Sequence, residues 1–240
     1  DANVGTMVNK GLEMTLSAQI VDTRNFGWRV TLLGSRVQNK ILELTEDAPE
    51  FVSGIYIYKE GMPIETFYMA KSAGVDPANG TQLYWVYDEK DDNDNPIDPY
   101  ISSDYGKAAT SKWYHGSRIP DLYGSASMEL TFFNSIDLSV MTTYSIGGLI
   151  YDGLYVGAMN PMYTGNTWSK NALRRWQKPG DVTDVPRAGI NAKYTTSDAY
   201  LIDASYFAIK NITLGYTLPA SASRKLGVSQ LRIYVTLDNM

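Results

Sequence analysis

The sequence predicts an all-β chain of long antiparallel strands, built either as a segment of a transmembrane β-barrel or as a soluble sheet with one buried face. Three observations carry the prediction. Six segments alternate apolar and polar residues with period two. Short and long connections between these segments alternate strictly. Each segment carries on one face a run of apolar residues that no charge interrupts.

The first strand falls near residues 6–21. Leu12, Met14, Leu16, Ala18 and Ile20 share one face, and Glu13, Thr15, Ser17 and Gln19 the other. Asp22-Thr23-Arg24-Asn25 is a turn cluster. The second strand, near 26–37, sets Trp28, Val30 and Leu32 against Arg29, Thr31 and Ser35, with Leu33 out of pattern. The third, 123–133, opposes Ala126, Met128, Leu130 and Phe132 to Ser125, Ser127, Glu129 and Thr131. A tight Asn134-Ser135 turn leads to the fourth, 136–145, where Leu138, Val140 and Tyr144 oppose Asp137, Ser139 and Thr143 and Met141 breaks the pattern. The fifth, 204–218, contains "SYFAIKNITLGYTLP": Ile212, Leu214, Tyr216 and Leu218 oppose Asn211, Thr213, Gly215 and Thr217. The sixth, 231–238, opposes Leu231, Ile233, Val235 and Leu237 to Arg232, Thr236 and Asp238.

The first pair of strands and the second pair are each joined by a short turn. The third pair is joined by residues 219–230, with a helical turn expected at 220–226. The other two connections, 38–122 and 146–203, are very long. Connections in compact domains are mostly a few residues, whereas outer-membrane barrels combine short periplasmic turns with long extracellular loops. Phe26, Trp28, Phe132, Phe133, Tyr144 and Tyr216 fall near strand ends, where a barrel carries its aromatic girdle. A soluble antiparallel sheet gives the same alternation, so the pattern alone leaves both arrangements open.

Composition narrows the chemistry. Net charge is −5, against the basic footprint of a general nucleic-acid binder. Tyrosines number 18 against 6 phenylalanines, and Tyr suits places with one dry and one wet end. With no cysteine and a single histidine, disulfides, thiolate sites and a Ser-His-Asp triad are not expected; His115 reads as a loop or surface residue. No apolar run approaches the ~20 residues of a membrane-spanning helix. The chain starts at Asp1 without a signal peptide and stops after a strongly patterned segment, so it reads as a fragment.

The long connections have content. Residues 55–58 and 83–87 read as short strands. Asp88 to Asp98, "DEKDDNDNPID", is either a calcium loop, since Ca²⁺ takes closely spaced oxygen ligands, or a solvated surface turn. It lacks the EF-hand's glycine and distal glutamate, which favours the turn. A short helix is expected within 159–176, capped by Ser169, with Ala172, Leu173 and Trp176 on one face. Arg175 or Arg187 is expected to pair with Asp181 or Asp184. The Asn-x-Thr triplets at Asn79 and Asn211 read as chance.

Several stretches match one family as a set. "KNITLGYTLP" (Lys210 to Pro219), preceded by Ser205-Tyr206 and followed by "LRIYV" (Leu231 to Val235) and Asn239, resembles the late-barrel signature of SusC/RagA-type TonB-dependent transporters of the Bacteroidetes. "NVGTMVNKGLEMTL" (Asn3 to Leu16), "NFGWRVTLLGSRVQNKILEL" (Asn25 to Leu44), "EGMPIETFYMAKSAGVDPANG" (Glu60 to Gly80), "RIPDLYGSAS" (Arg118 to Ser127) and "RRWQKPGDVTDVPR" (Arg174 to Arg187) resemble family segments in the same order.

The resemblance implies an antiparallel barrel of about 22 strands, of which this chain would supply roughly six with their extracellular loops. The plug, TonB box and final strands have no counterpart here. It implies outer-membrane, TonB-driven import of oligosaccharides or peptides, with a SusD-like surface lipoprotein as partner and TonB engaging the plug. It implies no covalent chemistry, hence no catalytic residue, metal or cofactor. Exposed aromatics flanked by polar groups suit a glycan; Trp113, Tyr114, Tyr163 and Trp168 are the candidate ligand contacts. The rival is a soluble β-rich carbohydrate-binding or adhesive module; a hydrolase would need a carboxylate pair in a cleft, and none stands out.

Overall fold

The computed structural model describes residues 5–45, 48–159, 167–189 and 196–240. Six long strands form one sheet: β1 (Gly5–Asp22), β2 (Phe26–Leu44), β3 (Leu122–Phe132), β4 (Ile136–Ile146), β5 (Tyr206–Thr217) and β6 (Arg232–Asp238). Their order in the sheet is their order in the chain, an up-and-down meander. The described chain separates into two units. One holds most of the sheet, residues Asn9–Asn39, Ile119–Gly148 and Ala204–Met240; the other comprises Asp1–Val8, Lys40–Arg118 and Leu149–Asp203, and so most of the long connections.

Register explains why the sheet has two unlike faces. Phe26 lies opposite Phe132, Phe132 opposite Ile136, Ile136 opposite Tyr216, and Tyr216 opposite Ile233. The next apolar row is Trp28, Leu130, Leu138, Leu214 and Val235; the next is Val30, Met128, Val140, Ile212 and Leu237. Because side chains alternate, the rows between them are polar. Arg29, Glu129, Ser139, Thr213 and Thr236 form one of these.

The polar face is laced together. Ser17 Oγ lies 3.1 Å from Thr31 Oγ1, and Arg29 donates to Gln19 at 3.1 Å. Thr213 and Thr236 hydroxyls are 3.0 Å apart, and Asn211 donates to Asp238 at 2.7 Å. The Arg232 guanidinium donates to Asp137 at 3.1 Å over Gly215, where a Cβ would collide with both groups. On the apolar face, Leu214, Ile233, Val235 and Leu237 are each more than half exposed.

β5 contains a bulge at Lys210. Met141 pairs with Asn211, and the next residue, Thr142, pairs with Ile209. A one-residue slip normally sends every later side chain to the other face. Here the extra residue absorbs the slip, so Phe207 and Ile209 stay on the face of Ile212, Leu214 and Tyr216. That is why "FAIKNITLGY" breaks strict alternation yet remains one strand.

The short turns lie at one end. Phe133 and Asn134 adopt positive φ in the β3–β4 turn, and the Phe133 amide donates to the Asn25 carbonyl of the β1–β2 turn at 2.8 Å. The β5–β6 connection carries a helix, Ala220–Lys225, whose first turn is closed by the Pro219 carbonyl. Phe26 and Phe132 rings pack at 5.2 Å near this rim, whereas Phe133 is exposed.

The long connections are not open loops. β2 runs on to Leu44, past the expected end near residue 37. Strands Glu50–Ser53, Tyr56–Lys59, Thr66–Met69 and Trp113–Ser117 form a four-stranded sheet. Lys71–Val75, Gln82–Val86 and Tyr100–Ser102 form a three-stranded one, and Glu89–Lys90 pairs with Pro96–Ile97. Its core is small: Ala70, Tyr84, Val86 and Ala108 pack together under Tyr105, with Ile57 and Phe67 also fully buried.

The expected short helix capped by Ser169 is a 3-10 helix, Lys170–Arg174; Ala172 is buried, but Leu173 is exposed, so the expected shared face is corrected, as is the expected ion pair. A helix with three residues per turn does not hold Ala172 and Leu173 on one face. The ion pair belongs to Arg174, which reaches Asp184 at 2.9 Å, while Arg175 donates to the Ala172 carbonyl. Asp181 instead accepts the backbone amides of Gln177 and Lys178.

Candidate functional site

Of the four aromatic candidates, Trp113 and Tyr114 are consecutive in the strand Trp113–Ser117, so their side chains leave it on opposite sides. Both are half-buried. Trp113 donates from Nε1 to the Trp85 carbonyl at 3.2 Å, meets Tyr87 edge-on at 5.5 Å, and carries the Lys71 ammonium 4.4 Å from its ring centre. Trp168 is 37 % exposed. Tyr163 lies outside the described residues.

Tyr114 belongs to a cluster. It faces Tyr68 across the strand pair with rings 4.8 Å apart. The Lys90 ammonium lies 5.2 Å from the Tyr114 ring centre, 5.5 Å from that of Tyr68 and 5.6 Å from that of Tyr87. It also donates to the Tyr68 hydroxyl at 3.3 Å and approaches Asp94 at 3.4 Å. Asp94 takes the Lys59 ammonium on its other oxygen and the Tyr114 hydroxyl at 3.2 Å.

The electrostatics follow from this packing. Lys59 beside Asp94 holds the Asp94 carboxyl below the usual carboxylate range, although partial burial opposes it. Burial pushes the Tyr87 hydroxyl up to about 12, and Tyr68 next to it acts in the same direction. Burial likewise raises Tyr114. These phenols stay protonated at neutral pH and act as donors and as electron-rich faces.

The acidic run 88–98 is built as a turn. Asp91 Oδ1 accepts the Asn93 and Asn95 amides at 2.9 and 2.8 Å, and Asp94 is committed to lysines. No group of three or more acidic or histidine side chains among the described residues is placed to hold a metal. His115 is not the surface residue its sequence context suggested. Its side chain is 10 % exposed, with Nε2 3.1 Å from the Met69 carbonyl and Nδ1 3.6 Å from Asp198. Pairing with a residue 83 positions on, in a 3-10 turn, is invisible to local pattern.

Two distant family-like segments meet. The Trp176 ring covers Gly80, which has φ +73°, and its Nε1 donates to the Pro77 carbonyl at 2.9 Å. The Arg187 amide donates to the Gly80 carbonyl. A cavity of about 210 Å³ opens nearby between Ser72, Gln82, Tyr155, Val185 and Tyr200. The residues that sequence reasoning missed are Lys90, Tyr68, Tyr87 and Asp94. A lone lysine inside an acidic, aromatic-flanked run was the available signal.

Comparisons with known proteins agree with this architecture. No family model matches the chain. TonB-dependent receptor P3 of Formosa agariphila is 27 % identical over 99 % of this chain and 24 % of its own length. TonB-dependent receptor P26 of the same organism is 28 % identical over 99 % and 25 %. TonB-dependent receptor SusC of Bacteroides thetaiotaomicron is 24 % identical over 99 % and 23 %. The chain thus spans about a quarter of the length of the curated relatives it matches. Among solved structures, the RagAB peptide importer superposes with TM-score 0.81 in its closed-closed state and 0.82 in its open-open state, at 24 % and 23 % identity, over 99 % of this chain and 26 % and 25 % of that one. A six-stranded meander with registered apolar rows, relatives along essentially its whole length, and the fold of the RagAB chains identify this chain as a relative of the SusC/RagA-type TonB-dependent receptors.

Proposed function

We propose that this chain forms part of the wall and extracellular loops of an outer-membrane importer energised through TonB. The observation that carries the reading is the set of uncharged apolar rows across β2–β6, from the Phe26 row to the Val30 row, set against a hydrogen-bonded polar face. In a closed barrel the first face meets lipid and the second a wet lumen. No helix among the described residues is long and apolar enough to cross a membrane, and strands do not need one. The exposed apolar rows disfavour the soluble-module reading, because contiguous apolar surface of this kind is rare on soluble monomers.

The long connections, 38–122 and 146–203, would face the outside and contact both the ligand and a SusD-like lipoprotein. The ligand is a peptide or an oligosaccharide. Trp113, Tyr114, Tyr163 and Trp168 are the proposed contacts. The protein moves its ligand without covalent chemistry. The test is uptake of fluorescent peptides and oligosaccharides by cells carrying or lacking the gene, with and without TonB. TonB-dependent uptake of one class is expected. Unchanged uptake of both classes on deletion, or a detergent-independent soluble monomer, contradicts the proposal.

A further inference from the structure

Three tyrosine rings surround the Lys90 ammonium. Three tyrosines present their faces to one ammonium at 5.2 to 5.6 Å, within the ~6 Å over which a ring attracts a cation. Asp94 supplies the counter-charge at 3.4 Å and the Tyr68 hydroxyl an acceptor at 3.3 Å. The Lys90 side chain is 21 % exposed, and partial burial of this kind strengthens cation–π attraction. Rings plus a carboxylate make an arrangement that recognises an alkylammonium.

The parts come from separate elements. Tyr68 and Tyr114 belong to the four-stranded sheet, and Tyr87 follows the strand Gln82–Val86. Lys90 and Asp94 belong to the hairpin formed by Glu89–Lys90 and Pro96–Ile97. Asp94 keeps Lys59 and Tyr114 as partners whether or not Lys90 is present, so Lys90 can be changed without orphaning the carboxylate.

The geometry points to a self-occupied cation cage: Tyr68, Tyr87, Tyr114 and Asp94 bind a primary ammonium, Lys90 supplies it, and its occupancy straps the 89–97 hairpin to the sheet. Being tethered, Lys90 occupies the cage at high effective concentration. With Lys90 truncated, the cage takes a free alkylammonium of matching length.

The experiment is hydrogen–deuterium exchange on the full protein in detergent, reading amides 89–97 with the Tyr84–Val86 amides as internal control. Lys90→Ala is expected to speed hairpin exchange roughly 3- to 30-fold and leave the control unchanged. Lys90→Met, with similar reach and no charge, is expected to behave like Lys90→Ala, which keeps the test valid if Lys90→Ala loses its fold. Millimolar n-propylammonium is expected to restore protection in Lys90→Ala, and sodium at equal ionic strength is not. Native protection in Lys90→Met, or equal effects of propylammonium and sodium, overturns the proposal.

Discussion

At Gly124 a methyl group would land on the Leu33 carbonyl oxygen and 2.8 Å from the Tyr144 hydroxyl. Tyr144 lies over Gly124 and Gly34, which share its row, and donates to that same carbonyl at 3.0 Å. A large ring filling the gap over a strand glycine restores packing that the glycine forfeits. Gly124→Ala is therefore expected to cost about 1–3 kcal/mol through overpacking, and Tyr144→Phe about 1 kcal/mol or less through the lost hydrogen bond; urea unfolding in lipid vesicles checks the order. Asp94 gives a pH prediction with a definite sign. Its carboxyl is lowered by Lys59, so its contribution is present above the unfolded value near ~4 and is lost as pH falls through the lower folded value. Exchange of the 89–97 amides is expected to accelerate in acid below about pH 4. In Asp94→Asn it is expected to be fast already at neutral pH, with no acid step.

Among the elements, β5 shows most clearly what a strand pattern does and does not disclose. Its alternation from Asn211 to Thr217 reads directly from the sequence, because one face is apolar and the other polar. The bulge does not, since Lys210 breaks the pattern for a reason visible only in its pairing with β4. Deleting Lys210 is expected to regularise the ladder and keep Phe207 and Ile209 on the apolar face, so the variant still gives a heat-modifiable band on gels. Charge placement gives a sharper contrast. Ile212→Arg, on the apolar face, is expected to cost about 2–4 kcal/mol of stability in the bilayer. Met141→Arg, one row over on the polar face and already exposed, is expected to cost little. The long connections were less legible. Their short strands pair across tens of residues, as Trp113 does with Met69, and the lysines that cover Trp113 and Tyr114 come from Lys71 and Lys90. Local pattern finds aromatic residues there but not what lies on their faces. Leu173 and Arg175 differ from expectation for a related reason: the short helix after Ser169 is wound as a 3-10 helix, whose rotation per residue the sequence does not disclose.

For the molecule as a whole, the decisive property is which face of the six-stranded sheet meets lipid. The chain contains no cysteine, so single cysteines can be introduced along β5 and labelled with a nitroxide in vesicles. Accessibility to oxygen, which concentrates in lipid, and to a water-soluble nickel chelate then reports each position. Oxygen-accessible labels are expected at Phe207, Ile209, Ile212, Leu214 and Tyr216, and nickel-accessible labels at Ala208, Asn211, Thr213 and Thr217, with the phase carried across Lys210 by the bulge. A flat profile, a reversed phase, or a phase that flips between Ile209 and Ile212 would contradict this expectation.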